Sequence, residues 1–265
     1  MLNIESTNFL TNGEIKRVAP SVFTSTAADH VSSAYTHIPT SVIIEDMRKL
    51  GWDVVDAKEV RARKGVGFQK HLVVFRNPEI AIIGKDGDDV FPQILLTNSH
   101  DGKNAFTFKC AIFRMVCENG LVVSTEEFED LKLRHMGYTF EQLQEKIKGV
   151  VEALPLTVEA MNKMKQVELN EKQAEEFAVK ALSTRFKEDE LTRITIDAKE
   201  LLKPTRKEDE GSDLWTIFNI IQEKLIDGNF SYNAGSKNRK ARRIKNFQQD
   251  IKVNEKLWEL AESFA

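Results

Sequence analysis

The stretch from Asn98 to Leu121, NSHDGKNAFTFKCAIFRMVCENGL, constrains the fold more than any other. It sets a largely apolar run between two turn signals, so the run belongs in a core. In Asn98-Ser99-His100-Asp101-Gly102, side chains able to hydrogen-bond their own backbone precede a glycine that accepts positive φ, which predicts a turn. Val90 to Leu96 before it reads as a strand. After it, Phe106, Phe108, Cys110 and Ile112 alternate with Thr107, Lys109 and Ala111, the period of two of a strand with one buried face. A helix from Asn104 to Cys117 is the competing assignment, and the aromatic and β-branched content favours the strand. Asn119-Gly120 predicts a tight reversal into Leu121-Val122-Val123.

Arg114 falls on the face of Phe108 and Ile112, so its guanidinium calls for a carboxylate or phosphate partner; a structural ion pair is the simpler account. His100 beside Asp101 has the composition of an acid-base couple, although a turn histidine is ordinarily a solvent-facing polar residue. Cys110 and Cys117 would lie on opposite strand faces, which argues against a disulfide or shared metal between them and for free thiols in a reducing compartment.

The chain divides in three. Residues 1–38 are polar and rich in Ser, Thr and Ala, and are expected to form a loosely packed, flexible lead-in. Residues 39–135 are expected to form an antiparallel α+β core. Pro39-Thr40 opens a helix with Val42, Ile43, Met47 and Leu50 at helical spacing and Gly51 at its end. A hairpin follows, with Trp52 to Ala62 and His71 to Arg76 as its arms. Residues 136–265 are expected to be helical and packed on that core. Thr139 and Gln142 make a capping box ahead of Phe140, Leu143, Ile147, Val150 and Leu154, a run that Pro155 should break. Asn170 with Gln173 caps a helix carrying Phe177, Ala178 and Ala181, and Ser212 caps one with Leu214, Phe218, Ile221 and Leu225 that ends at Gly228. The fold class is therefore α+β: an N-terminal antiparallel sheet with a helix, then a mostly helical C-terminal half.

Two segments have the composition of nucleic-acid contacts. At the hairpin tip, Arg61, Arg63, Lys64 and Lys70 surround two glycines and Phe68, which combines phosphate-binding charge with a ring able to stack on a base. A solvated turn is the plainer alternative. The second segment carries Lys237, Arg239, Lys240, Arg242, Arg243 and Lys245, or +6 within nine residues. Removing that +6 from the net −3 leaves −9 for the rest of the 265-residue chain, so positive charge is concentrated there. Such a block attracts phosphate backbones, with Phe230, Tyr232 and Phe247 nearby as stacking groups. Its plainer alternative is a solvated helix face.

Other classes find little support. Gly65-x-Gly67 lacks the third glycine and the following helix of a dinucleotide loop. Gly84 to Asp89 lacks the spacing and the twelfth-position glutamate of a calcium loop. Neither a cofactor nor a metal is expected. No apolar run approaches about 18 residues and the amino terminus lacks a signal-peptide pattern, so no membrane partner is expected.

Taken together, Asn98-Ser99-His100-Asp101-Gly102, Arg114-x-x-Cys117-x-Asn119-Gly120-Leu121, Arg134-His135, Leu214-Trp215 and Asn254-x-x-Leu257-Trp258 resemble the phage/plasmid-like proteins grouped under a domain of unknown function, number 932. The resemblance runs from about Tyr35 onward. It implies a protein of phages, plasmids or integrated elements acting in the bacterial cytoplasm, and it supplies no mechanism. The element order is also similar in outline to the single-strand annealing proteins that phages use in recombination, an analogy of fold only. The leading expectation is a non-enzymatic nucleic-acid-binding protein, for single-stranded DNA in replication or recombination, with homo-oligomerisation compatible with that role. A factor that contacts a host defence or processing protein is the second reading. An enzyme using His100, Asp101, Arg114 and His135 is the third.

Overall fold

The computed structural model describes residues 8–31, 35, 37–62, 66–82, 90–104, 106–114, 119–122, 132–133 and 139–265. They form an α+β protein of two compact units, residues 1–115 with 125–154 and residues 116–124 with 155–265.

In chain order the first unit supplies α1 (Asn12–Val18), a 3₁₀ turn (Pro20–Phe23), α2 (Thr40–Lys49), β1 (Asp53–Glu59), β2 (His71–Arg76), β3 (Val90–Asn98) and β4 (Phe106–Arg114). β5 (Asn119–Val122) counts with the second unit, while β6 (Lys132–Leu133) and the first part of α3 (Phe140–Gln166) return to the first. The sheet runs β1-β2-β3-β4, antiparallel throughout, and β6 pairs with β4 at Phe106 and Thr107. Register explains its core face. Phe75 stands opposite Ile94 and Val73 opposite Leu96, and these in turn oppose Cys110 and Phe108, so period-two alternation on three strands aligns one apolar surface. Ile15, Ile43, Ile44, Met47, Leu143 and Ile147 cover it. Phe106–Arg114 is thus a strand, and Arg114 is buried on it as its alternation required.

The amino-terminal segment departs from the lead-in expected of it. A Thr11–Glu14 capping box starts α1, and Ile15, Ala19 and Val22 are fully buried in the core. Three apolar residues spaced by four and three suffice to bind a short helix to a sheet, even where the surrounding composition is polar. Asn119 and Gly120 are the first two residues of β5, where a tight reversal was expected; an Asn-Gly pair permits positive φ without demanding it. Pro155 sits inside α3 and does not end it, because the loss of one backbone donor is outweighed by an apolar stripe that continues through Met161 and Met164.

The second unit is built mainly from α4 (Glu171–Arg185), α5 (Glu188–Leu191), α6 (Ala198–Leu202), α7 (Leu214–Asp227) and α8 (Phe247–Glu262). Asn170 and Gln173 close the capping box of α4 as expected, whereas α7 is capped by Asp213, leaving Ser212 to donate to Glu168 at 2.7 Å. α7 is buried almost all round. Its Phe218 packs on Trp215 and Trp258 at 5.8 and 6.0 Å between ring centres. Gln222 Nε2 donates to Asn254 Oδ1 at 2.9 Å, fixing α7 to α8. The region expected to be helical also holds a three-stranded sheet in the order β7 (Ile194–Thr195), β8 (Ser231–Ala234), β9 (Lys237–Lys240). No described helix is long and apolar enough to cross a membrane.

Candidate nucleic-acid interface

The basic block is a strand and its exit, where a solvated helix face was the plainer expectation. All four residues of β9 are exposed, and its described side-chain bond to β8 is Asn238 Nδ2 donating to Asn233 Oδ1 at 3.2 Å, so no buried side chain of its own holds it. Its position comes from backbone pairing with β8, where Tyr232 opposes Arg239 and Ala234 opposes Lys237, around a turn at Gly235 with φ 61°. Beyond β9 the chain is anchored twice more: Ala241 N donates to Phe230 O at 2.9 Å and Ile244 N to Ile226 O at 2.8 Å, with Ala241 and Ile244 buried. Gly228 ends α7 in the left-handed conformation at φ 76°, directly against this segment. A Cβ there would lie 2.5 Å from the carbonyl carbon of Arg242 and 2.7 Å from that of Ala241. Only glycine fits both the dihedral and the space.

Arg185, the last residue of α4, completes the site. Its guanidinium donates to the carbonyls of Leu225 and, at 2.6 Å, of Arg242, and stands 5.5 and 5.6 Å from the ring centres of Phe186 and Phe230. Burial pushes its pKa below the ordinary arginine value, with attraction to Tyr232 acting the other way. It remains a cation at neutral pH.

Together these groups enclose an open cleft of about 850 Å³, lined by Arg185, Phe186, Tyr232, Arg239, Lys240, Ala241 and Arg242. Four cations and two aromatic rings share the lining, and no carboxylate does. Phe186 meets Tyr232 edge-on, with ring centres 6.1 Å apart and planes at 61°. Such a surface can hold phosphate oxygens by charge and a planar apolar group by contact. Of the six expected cations, Arg239, Lys240 and Arg242 line the cleft; Lys237 and Lys245 are exposed beside it in sequence. Arg243 is directed to Asp227 at 3.2 Å. Arg185 and Phe186 were missed. An arginine in the last turn of a capped helix reads as a complement to the helix dipole, and only the tertiary fold brings it to β9.

The other expected contact lies on the β1–β2 connection. Arg61 is exposed, Phe68 and Lys70 are half-buried, and Arg63 and Lys64 lie outside the described residues. Burial, then repulsion from Lys109, lowers the pKa of Lys70.

The family-motif residues are largely structural. At one end of the core sheet, His71 Nδ1 lies 3.1 Å from Gln69 O and 3.0 Å from Ser21 Oγ. Thr40 Oγ1 is 2.8 Å from His71 Nε2 and accepts from Asn98 Nδ2 at 3.0 Å. With Nδ1 donating to the carbonyl, a neutral ring is able to accept from Thr40 at Nε2. Burial agrees, pushing the His71 pKa down to about 4 against the opposing pull of the Gln69 carbonyl. His100 is buried rather than solvent-facing, its ring 4.6 Å from His37 and 5.2 Å from His71. Its backbone explains this: His100 N donates to Phe68 O and His100 O accepts from Ala28 N, which draws the turn inward. Asp101 accepts from Ser99 Oγ at 2.6 Å and from Lys103 N at 3.2 Å, and Gly102 has φ 72°. Trp215, Asn254 and Trp258 are buried in the second unit. Cys117, Arg134 and His135 lie outside the described residues; Cys110 is a buried free thiol, its pKa pushed up to about 12 by burial. Among the described residues no group of three or more His, Cys, Asp or Glu is placed to hold a metal ion.

Residues 27–258 match the family model described as a domain of unknown function (DUF932). Two Escherichia coli K12 proteins, UPF0380 protein YfjQ and UPF0380 protein YafZ, are each 33% identical over 257 residues, covering 96% of this chain and 91% of theirs. No solved structure matches.

Proposed function

The chain belongs to the DUF932 family, and from that premise we propose a function on geometry alone: it is a nucleic-acid-binding protein that holds single-stranded DNA in the basic cleft of its second unit, in the replication or recombination of a phage or plasmid. The observation that carries this reading is the lining of the cleft, where Arg185, Arg239, Lys240 and Arg242 surround Phe186 and Tyr232 with no carboxylate among them. In a chain whose net charge is −3, such a concentration of positive charge attracts a polyanion over a long range. Rings beside it supply the sequence-tolerant contact that single-strand binders use. Arg61 and Lys70 on the β1–β2 connection are a separate set of candidate phosphate contacts in the first unit.

Fluorescence anisotropy of a labelled single strand across a salt series tests this reading. Tight binding at low salt is expected, with the logarithm of the association constant falling by roughly 0.7 per decade of salt for each phosphate engaged. The triple reversal Arg239→Glu, Lys240→Glu, Arg242→Glu is expected to abolish binding while leaving thermal stability close to that of the parent. Binding that survives the reversal unchanged would refute the assignment to this cleft.

A further inference from the structure

We propose that the cleft is built around one unpaired nucleotide unit, with the base lodged in the corner between Tyr232 and Phe186 and the phosphate held by Arg239 and Arg242. This rests on the nucleic-acid reading above and adds what is recognised and how. Three features carry it. The first is Arg185. It donates to two backbone carbonyls, lies in the cleft wall half-buried, and among the described residues has no carboxylate in ion-pair contact. A cation anchored this way keeps its charge and its position, and partial desolvation strengthens its attraction for an anion in the cleft.

The second is the pair of rings. Tyr232 and Phe186 meet edge-on at 61° among cations, and both are only half-buried. A nucleobase offers a planar face to one ring and an edge to the other. A base inside a duplex is already stacked on both faces and has none to give. The third is size. At about 850 Å³ the cleft falls within the range of small-molecule sites, of order 300–1,000 Å³, and is far too small for a double helix. Tyr232 opposes Arg239 across β8–β9, so one pair of facing residues supplies both the stacking ring and a phosphate-binding cation, at a spacing set by the sheet.

The same chemistry is offered by a nucleotide within a strand and by a free nucleotide, and the test separates them. The probes are a labelled 12-residue thymidine strand, the same length as duplex, an abasic strand of equal length, and thymidine 5′-monophosphate as competitor. Stacking of one base is worth about 1–3 kcal/mol, or roughly 5- to 150-fold in affinity. The thymidine strand is expected to bind more tightly than the abasic strand and the duplex by a factor in that range. Tyr232→Leu is expected to remove this advantage without weakening abasic-strand binding, and Tyr232→Phe to retain it; equal melting temperatures show that both variants fold. Equal affinity for thymidine and abasic strands, unaffected by Tyr232→Leu, overturns the base corner and leaves phosphate binding standing. Binding of the monophosphate alone, lost in Tyr232→Leu, upholds the nucleotide site and overturns the strand reading. Failure of every probe to bind overturns both.

Discussion

Gly228 and Arg242 meet backbone to backbone: a Cβ on the glycine would stand 2.5 Å from the carbonyl carbon of the arginine. The end of a buried helix thereby helps set the position of the basic segment, alongside the buried side chains of Ala241 and Ile244. Gly228→Ala must either leave the left-handed region or push Arg242 away. It is expected to cost roughly 1–3 kcal/mol of stability, read by denaturant unfolding, and to weaken single-strand binding as well. A variant as stable and as competent as the parent would show that the contact is slack.

Arg243 and Arg239 are predicted to differ although both belong to the same run of charge. Arg243 faces Asp227 at 3.2 Å, whereas Arg239 lines the cleft. Arg239→Gln should lower the affinity for a single strand and flatten its salt dependence by the equivalent of one phosphate contact. Arg243→Gln should do clearly less, and Asp227→Asn should strengthen binding slightly. Anisotropy titrations at two salt concentrations check the order.

His71 predicts an acid-labile first unit. Its ordinary pKa of 6.5 falls to about 4 on folding, because burial penalises the charged ring by more than the hydrogen bond to the Gln69 carbonyl favours it. Between those values the unfolded chain binds a proton that the folded chain does not, so stability falls as pH drops from about 6.5 to about 4 and is insensitive to this group below that. The linked loss is about 3 kcal/mol. Urea unfolding as a function of pH measures it. His71→Gln should be less stable at pH 8 and lack this portion of the acid slope.

Ile15 tests whether the amino-terminal helix is part of the core. It is fully buried against the sheet, and Ile15→Ala is expected to cost about 2–5 kcal/mol. A loss below 0.5 kcal/mol, read from the urea midpoint, would mark residues 12–23 as the loose arm that their composition suggested.

Local chemistry made much of this fold legible in the sequence. The alternation from Phe106 to Ile112 put Phe108 and Cys110 on the face where they pack, and the Asn170–Gln173 and Thr139–Gln142 boxes mark real helix starts. Reading failed where a local signal was permissive or where tertiary packing overrode it. Asn119-Gly120 permits a turn and lies in a strand. Pro155 weakens a helix and is carried through by the apolar stripe on either side. The strand Lys237–Lys240 has no apolar residue to betray it, since backbone pairing with β8 places it and the backbone contacts of Gly228, Phe230 and Ile226 fix its exit at residues 241–244. The candidate site was half legible for the same reason. Charge density marked Arg239, Lys240 and Arg242, but Arg185 and Phe186 come from a helix more than 40 residues earlier, joined to them only by the fold.

The most direct test of the cleft is photochemical. A single strand carrying 5-bromouracil is irradiated in complex with the protein, and the adducts are mapped by mass spectrometry. Adducts on peptides bearing Phe186 or Tyr232, lost with the triple reversal at Arg239, Lys240 and Arg242, are the predicted result. Adducts confined to other peptides, such as the one bearing Phe68, would contradict the assignment and move the binding surface to the first unit.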